Sequence, residues 1–399
     1  MKPLQLLAVT TSYPLRQDAA AGVFIRRVYE HLPAHWEVAV VCPDDTRGQD
    51  GTGSPRVAVH AVRYAPRRWQ VLSQGAGGIV PALQANRRLW LLLPCLLGGV
   101  FLHCVRLARY ADVIHANWSI SGALAGVAGM LSGRPVVTTL RGDDVVASLG
   151  SRLHRWILGA ALRRSARIVC VSGAMAEQLQ ARYPRHAGKI SVCRNGVEDA
   201  FLQVVHSVAQ PGRLRIVAVA SLIRRKGLDV LIDAMSLARG RAGMTLRVAG
   251  DGPERSALAA LVERSGLSGQ VEFIGPLPPN DVPAFLADAD VYAMSSRSEG
   301  RPNVVVEALA AGLPVVSTDL PGNAGLVVAD TNGWVVPIGD ARAMAAALDD
   351  AMDNPERRIQ MGRDARARIT AGGETWPATA RRYDEIFRSA MGDAQGGRG

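Results

Sequence analysis

Short apolar runs rich in Val and Ile alternate along this chain with longer stretches of helical period, and that rhythm restricts its fold more than any single motif. The runs are LQLLAVT, EVAVVC, DVIHAN, PVVTTL and RIVCVS in the first half, then LRIVAVAS, TLRVAG, QVEFIG, DVYAMS and LPVVST in the second. Strands that are apolar on both faces belong to parallel sheets covered by helices on both sides. The expected fold class is therefore α/β, with two successive open sheets. A length of 399 residues suits two domains. Periodicity lapses at FLQVVHSVAQPGR, residues 201–213, and a new strand starts at Leu214. The expected domains are thus 1–205 and 206–375. Residues 376–391 read as a helix with Ala380, Tyr383, Ile386 and Phe387 on one face, and the Gly-rich 392–399 as a disordered tail.

Charge separates the two halves. Residues 1–200 carry 24 Lys and Arg against 12 Asp and Glu, whereas 201–399 carry 22 against 23, so the whole net charge of +11 comes from the first half. A basic domain beside a neutral one suggests an anionic surface, phosphorylated lipid or nucleic acid as partner, the alternative being a coding bias toward Arg with no partner. No nucleic-acid reading motif is present, so no nucleic-acid partner is expected. Cys42, Cys95, Cys104, Cys170 and Cys193 form no Cys-x-x-Cys pair and read as reduced, cytoplasmic thiols. The start, MKPLQLLAVTTSYPLR, has no signal-peptide core and reads as the first strand. Residues 87–109, RRLWLLLPCLLGGVFLHCVRLAR, are apolar from Leu89 to Val105 and carry Arg at both ends. Pro94, Gly98, Gly99 and His103 interrupt this short stretch, so a membrane span is not expected. Two readings stay open: a core helix of the first domain, or a helix lying at a membrane interface.

The segment SSRSEGRPNVVVEALAAGLPVVSTDLPG, residues 295–322, holds Glu299 and Glu307 on either side of a Gly-Arg-Pro-Asn turn. A helix is expected from Pro302, stopped at Gly312 and Pro314. Its start offers unpaired N–H groups and a partial positive charge, which suit phosphate. The two carboxylates must then serve hydroxyl donors, such as the vicinal pairs of a sugar or ribose. Strands before and after the segment put it at the carboxyl end of a parallel sheet, where such folds bind ligands. The plainer account makes Glu299 a helix-dipole partner and Glu307 an exposed helix charge.

Here the chain resembles the family-four retaining glycosyltransferases, the glycosyl transferase group 1 family. The resemblance rests on SEGRPNVVVEALAAGLPVV, VASLIRRKGLDVLIDA, VAGDGPER, VEFIGPL, NGWVVPIGD and CRNGVEDAFL, with TSYPLRQDAAAGVFIRRVYEHL and VVTTLRGDDV in the first half. It implies the GT-B fold: two Rossmann-like domains whose parallel sheets face a cleft, with the C-terminal helix crossing back to the first domain. It also implies roles. Glu307 would hold the ribose, Glu299 the donor sugar, and Pro302, Asn303 and Val304 would meet the diphosphate and sugar through their backbone. Lys226, one of only three lysines among 43 arginines, would pair with the diphosphate. Leu277 would lie near the base, and the loop of Asp18 and Gly22 near the donor phosphates and acceptor.

Two positions depart from the family pattern. Ser221 stands where Arg is common, leaving Arg224 or Arg225 to compensate. Arg141-Gly142-Asp143-Asp144 stands where His-Gly-x-Asp is common, so the catalytic set implied is Glu299, Lys226, Arg141 and Asp144. Arg141 stays protonated and cannot act as a base; it can orient the sugar, neutralise phosphate, or pair with Asp143 or Asp144. The implied reaction moves a sugar from a UDP- or GDP-linked donor to an acceptor hydroxyl with retention. The leaving diphosphate assists the acceptor proton, and neither metal nor cofactor is expected. The basic half and residues 87–109 favour a lipid-linked saccharide acceptor at the inner membrane surface. A small soluble acceptor, or a nucleotide-sugar-binding subunit without activity, are the alternatives. A nicotinamide oxidoreductase is disfavoured, because GDGPER lacks the third Gly of the dinucleotide fingerprint.

Overall fold

The computed structural model describes all residues except 1, 17, 18, 20, 51–53, 74–78, 80, 81, 84, 85, 208–211 and 397–399. The chain divides into two units, Met1–Gly196 with Trp376–Gly399, and Val197–Thr375.

The first unit runs β1 (Leu4–Val9), α1 (Val23–Glu30), β2 (Trp36–Pro43), β3 (Val57–Val62), α2 (Leu93–Ala108), β4 (Val113–Asn117), α3 (Ser119–Ser132), β5 (Val136–Leu140), α4 (Asp143–Gly150), α5 (Arg152–Arg164), β6 (Arg167–Cys170), α6 (Gly173–Arg182) and β7 (Ile190–Val192). Its described strands form one sheet in the order β3-β2-β1-β4-β5-β6-β7. Neighbours pair in parallel; Leu6 of β1 faces Val38 on one side and Val113 on the other. Chain order reverses between β1 and β4, which makes that pair the topological switch point.

The second unit runs α7 (Asp199–Leu202), β8 (Leu214–Val219), α8 (Leu228–Leu237), β9 (Met244–Ala249), α9 (Arg255–Arg264), β10 (Val271–Gly275), α10 (Val282–Ala287), β11 (Val291–Met294), α11 (Asn303–Ala310), β12 (Val315–Thr318), β13 (Gly333–Val336), α12 (Ala341–Asp353) and α13 (Pro355–Ala371). Its described strands are ordered β10-β9-β8-β11-β12-β13, again parallel, with the switch between β8 and β11. The expected α/β class with two parallel sheets holds. The sequence rhythm passes over β3, β7 and β13, which lie at or next to sheet edges.

The last helix, α14 (Trp376–Gly396), belongs to the first unit. Ala380, Tyr383, Ile386 and Phe387, the expected apolar face, are all buried against Trp36, Val38 and Val137. Asp384 on the same helix accepts from Trp36 Nε1 at 2.7 Å. Each of these large side chains contributes roughly 1.5–3 kcal/mol by leaving water, so the helix is an integral part of that core.

Three expectations need correction. The units part at Gly196, nine residues before the expected boundary, because Val197, Phe201 and Val204 pack into the second core. The last helix continues to Gly396, so 392–396 are helical rather than a tail; 397–399 lie outside the described residues. The helix beginning at Pro302 starts one residue later, with Pro302 as its N-cap.

Residues 87–109 fold as a 3-10 turn, Arg87–Leu92, leading into α2. Leu96, Val100, Cys104 and Ala108 are buried against the sheet. The opposite side exposes Trp90, Leu91 and Leu102 beside Arg87, Arg88, Arg106 and Arg109. Arg87–Ala108 is long and apolar enough to cross a membrane by length and composition, yet one of its faces is core. All five cysteines are free thiols, four of them buried.

Candidate active site

In the second unit the loops after β8 and β11 flank the switch point and are tied to each other. Ser295 Oγ donates to the Lys226 carbonyl at 3.1 Å, and the Arg297 amide to the Arg225 carbonyl at 2.8 Å. Gly227 makes the joint possible: its φ is +64°, and a Cβ there would run into the Ser295 carbonyl oxygen. The tie brings Lys226 Nζ to 2.5 Å from Glu299 Oε1, which also accepts from Ser296 Oγ at 2.8 Å. Arg225 donates to the Ser298 carbonyl at 3.1 Å and lies 3.6 Å from Glu299 Oε2. Arg225, rather than the exposed Arg224, is thus the arginine that lies beside Lys226 and Glu299, and Ser221 lies at the start of the same loop.

Lys226, Ser296, Glu299 and Val304 line one pocket. Beside it α11 begins at Asn303, and the positive end of its dipole meets the pocket, with the Val305 and Val306 amides already donating to the Pro302 carbonyl at 3.1 and 3.4 Å. Glu307 lies one turn further along α11. Burial pushes its carboxyl up from 4.5 to about 7, with the charge of Glu198 adding to the effect. The plainer account of Glu307 as an exposed charge is thereby overturned. Leu277, beyond the end of β10, is half-buried against the second core.

In the first unit Arg141 follows β5. Its Nη2 donates to Asn117 Oδ1 at 2.7 Å and its Nη1 to Asn195 Oδ1 at 2.9 Å, while its guanidinium stacks 4.6 Å from the centre of the Phe24 ring. Of the expected alternative, a pairing with Asp143 or Asp144, the one with Asp144 does not occur, and the Asp143 side chain lies outside the described residues. Asp144 is buried and accepts from backbone amides instead: Gly142 and Val145 on Oδ1, both at 3.1 Å, and Ser119 on Oδ2 at 3.0 Å. Its role is to hold the loop and the start of α3. Gly22 caps α1 with φ +78°, and a Cβ there would meet the Ser12 carbonyl oxygen at 2.7 Å. The turn alone thus demands glycine. Asp18 lies outside the described residues.

The structure accordingly gathers Lys226, Arg225, Glu299, Val304 and Glu307 at the switch point of the second unit, and Arg141 and Asp144 at the strand ends of the first. Ser296, Glu198, Asn117, Asn195 and Phe24 were not singled out in the sequence. Ser296 was accessible, standing three residues before Glu299 in SSRSEG. The asparagines carry no signal, since only the fold brings them to Arg141.

Two family sequence models match the chain: Glycosyl transferases group 1 over residues 205–368, and Glycosyltransferase Family 4 over residues 21–201. WcaL of Escherichia coli (strain K12), assigned to colanic acid biosynthesis, is 34% identical over 249 residues, which are 60% of this chain and 61% of WcaL. The amylovoran biosynthesis glycosyltransferase AmsK of Erwinia amylovora is 34% identical over 171 residues, 41% of this chain and 42% of AmsK. The matches therefore span less than two thirds of these curated relatives. Among solved structures, sucrose-phosphate synthase from Thermosynechococcus elongatus superposes with a TM-score of 0.79 at 21% identity, covering 98% of this chain and 100% of that one. HepE from Anabaena, solved in complex with UDP-glucose, gives 0.73 at 18%, covering 97% and 100%. At such identities the likeness shows the fold, and the family models carry the rest: the chain belongs to the glycosyl transferase group 1 family and has the GT-B fold.

Proposed function

We propose that this chain transfers a sugar from a UDP- or GDP-linked donor to an acceptor hydroxyl, with retention at the anomeric carbon, and that the acceptor is a lipid-linked saccharide of a bacterial surface polysaccharide. The observation that carries the donor assignment is the fixed trio of Lys226, Ser296 and Glu299 beside the start of α11. On this reading the ammonium of Lys226 and the helix N-terminus meet the diphosphate, and their charge stabilises it as it departs. Glu299, anchored through Oε1, offers its other oxygen to the donor sugar. Glu307 accepts from the ribose hydroxyls, and those hydrogen bonds favour its ionised form. Leu277 packs near the base. Departure of the diphosphate on the face the acceptor enters lets it assist the acceptor's proton. The charge is handled by Lys226 and the helix, and no metal or cofactor enters the scheme. Arg141 orients the sugar.

The naming of WcaL and AmsK for colanic acid and amylovoran biosynthesis supports the polysaccharide assignment, and the UDP-glucose complex of HepE supports a nucleotide-sugar donor. The exposed apolar side of α2, bordered by arginines, supports contact with the anionic inner membrane surface, and with it a cytoplasmic, peripheral location. The test is thermal stabilisation by UDP and GDP: wild type gains about 2.7 kcal/mol at a ligand concentration of about 100 times Kd, and Lys226→Ala loses most of it. Equal stabilisation of both proteins would refute the donor site.

A further inference from the structure

Arg141 is held in place without being neutralised. Its partners Asn117, Asn195 and Phe24 are all uncharged, and it makes no ion pair among the described residues. Its Nε–H is buried with no acceptor. Each Nη uses one N–H on an asparagine, so one donor on each is left over.

The structure behind it is equally neutral. Asn117 Nδ2 donates to the Tyr29 hydroxyl at 3.2 Å, and that hydroxyl pairs with His115 Nδ1 at 2.9 Å. His115 Nε2 pairs with Thr139 Oγ1 at 2.8 Å, and Thr139 with the Tyr383 hydroxyl at 3.1 Å. Burial, with the charge of Arg141 adding, holds His115 well below its ordinary range, so the ring is uncharged. The network fixes Asn117, and Asn117 fixes Arg141, but no member carries a negative charge. Trp118, next in sequence, takes the left-handed φ of 69°, a strained backbone for a bulky residue. Asp144, three residues from Arg141, is committed to backbone amides.

A guanidinium kept from water at Nε and given only neutral acceptors has a deficit that an oxyanion repairs with charge-assisted hydrogen bonds. Arg suits this task through its fixed fork of donors. The place is also right: β5 is next to the switch pair β1 and β4, and the ligand region of an open α/β sheet lies outside these strand ends.

We propose that Arg141 is a specificity residue that recognises an oxyanion on the saccharide substrate, so that the sugar bound at the first unit is acidic, carrying a carboxylate or a phosphate. This rests on the glycosyl-transfer reading above. The experiment uses the full-length protein saturated with UDP or GDP, so that the nucleotide site of the second unit is filled. Binding of methyl glucuronide, methyl glucoside and glucose 6-phosphate is then measured by titration calorimetry. Wild type is expected to prefer an acidic sugar over the neutral one by roughly tenfold or more, the scale of one charge-assisted hydrogen bond. Preference for the glucuronide identifies a carboxylate, and preference for the phosphate identifies a phosphoryl group. The preference should shrink with added salt. Arg141→Gln should abolish the preference, so that the acidic and neutral sugars bind alike, and Arg141→Lys should retain part of it. Equal binding of all three sugars by wild type, or full discrimination in Arg141→Gln, overturns the proposal. The wild-type comparison and its salt dependence decide the matter even if the variant does not fold. Absence of stabilisation by UDP and GDP in the same sample sinks the glycosyl-transfer reading, whereas stabilisation without acidic-sugar preference sinks only the assignment to Arg141.

Discussion

Replacing Glu307 by Gln removes a carboxyl that the fold penalises when charged. Burial first, and Glu198 second, move it from 4.5 to about 7. At about 1.4 kcal/mol per tenfold change in proton affinity, that displacement is worth about 3 kcal/mol. Glu307 keeps some contact with solvent, which reduces the expected effect to about 1–2 kcal/mol. Below pH 4.5 the side chain is protonated in both folded and unfolded chains, and the stability associated with it is fully present. Between pH 4.5 and 7 the folded protein holds the proton that the unfolded chain has released, so stability falls as pH rises, and it levels off above 7. Gln cannot ionise. Denaturant unfolding of the second unit, followed from pH 4.5 to 8, should therefore show wild type and Glu307→Gln nearly equal at the acid end. The variant should be more stable by about 1–2 kcal/mol at pH 8. In wild type, nucleotide binding should strengthen as pH rises through 7 if, as proposed, the ribose hydroxyls donate to the ionised carboxylate. A stability gap that is flat with pH, or that opens with wild type the more stable, would refute a desolvated Glu307.

Other expectations follow from the packing. Gly227→Ala should destabilise the second unit by about 1–3 kcal/mol, because the positive φ and the Ser295 carbonyl both oppose a Cβ; its unfolding midpoint and its response to UDP should fall together. Phe387→Ala should cost about 3–5 kcal/mol in the first unit, measured as a loss of midpoint without loss of nucleotide binding. Leu91→Asp with Leu102→Asp alters only exposed positions of the α2 segment. It should leave the unfolding midpoint within about 0.5 kcal/mol and reduce flotation with anionic vesicles; unchanged flotation would remove α2 from the membrane contact.

The sequence carried the sheets and the second-unit site well, because both depend on local signals. Runs such as LRIVAVAS and DVYAMS announce buried strands, and SEGRPN followed by an apolar helix announces a strand-turn-helix joint. Edge strands such as β7, only three residues long, are too brief to show a pattern. The unit boundary was missed because Phe201 and Val204 are apolar residues in an irregular stretch, and composition does not reveal which core they join. Arg141 stands out in the sequence as a departure from the family pattern, but its surroundings do not. Asn117 and Asn195 are 24 and 54 residues away in the chain, and only the sheet order makes them neighbours.

The return of α14 to the first unit has a consequence for how the molecule is made. On the ribosome, β1 to β7 emerge first, but their exposed side at Trp36, His115 and Val137 has no cover until residues 376–396 appear. The second unit, encoded wholly between the two, has all its strands before that helix is synthesised. Domains fold as units during synthesis at about 5–20 residues per second, so the half begun first is the half finished last. For about 10–40 seconds at that rate it stands with an apolar sheet face open to chaperones, and a chain cut short before Trp376 keeps that face open for good.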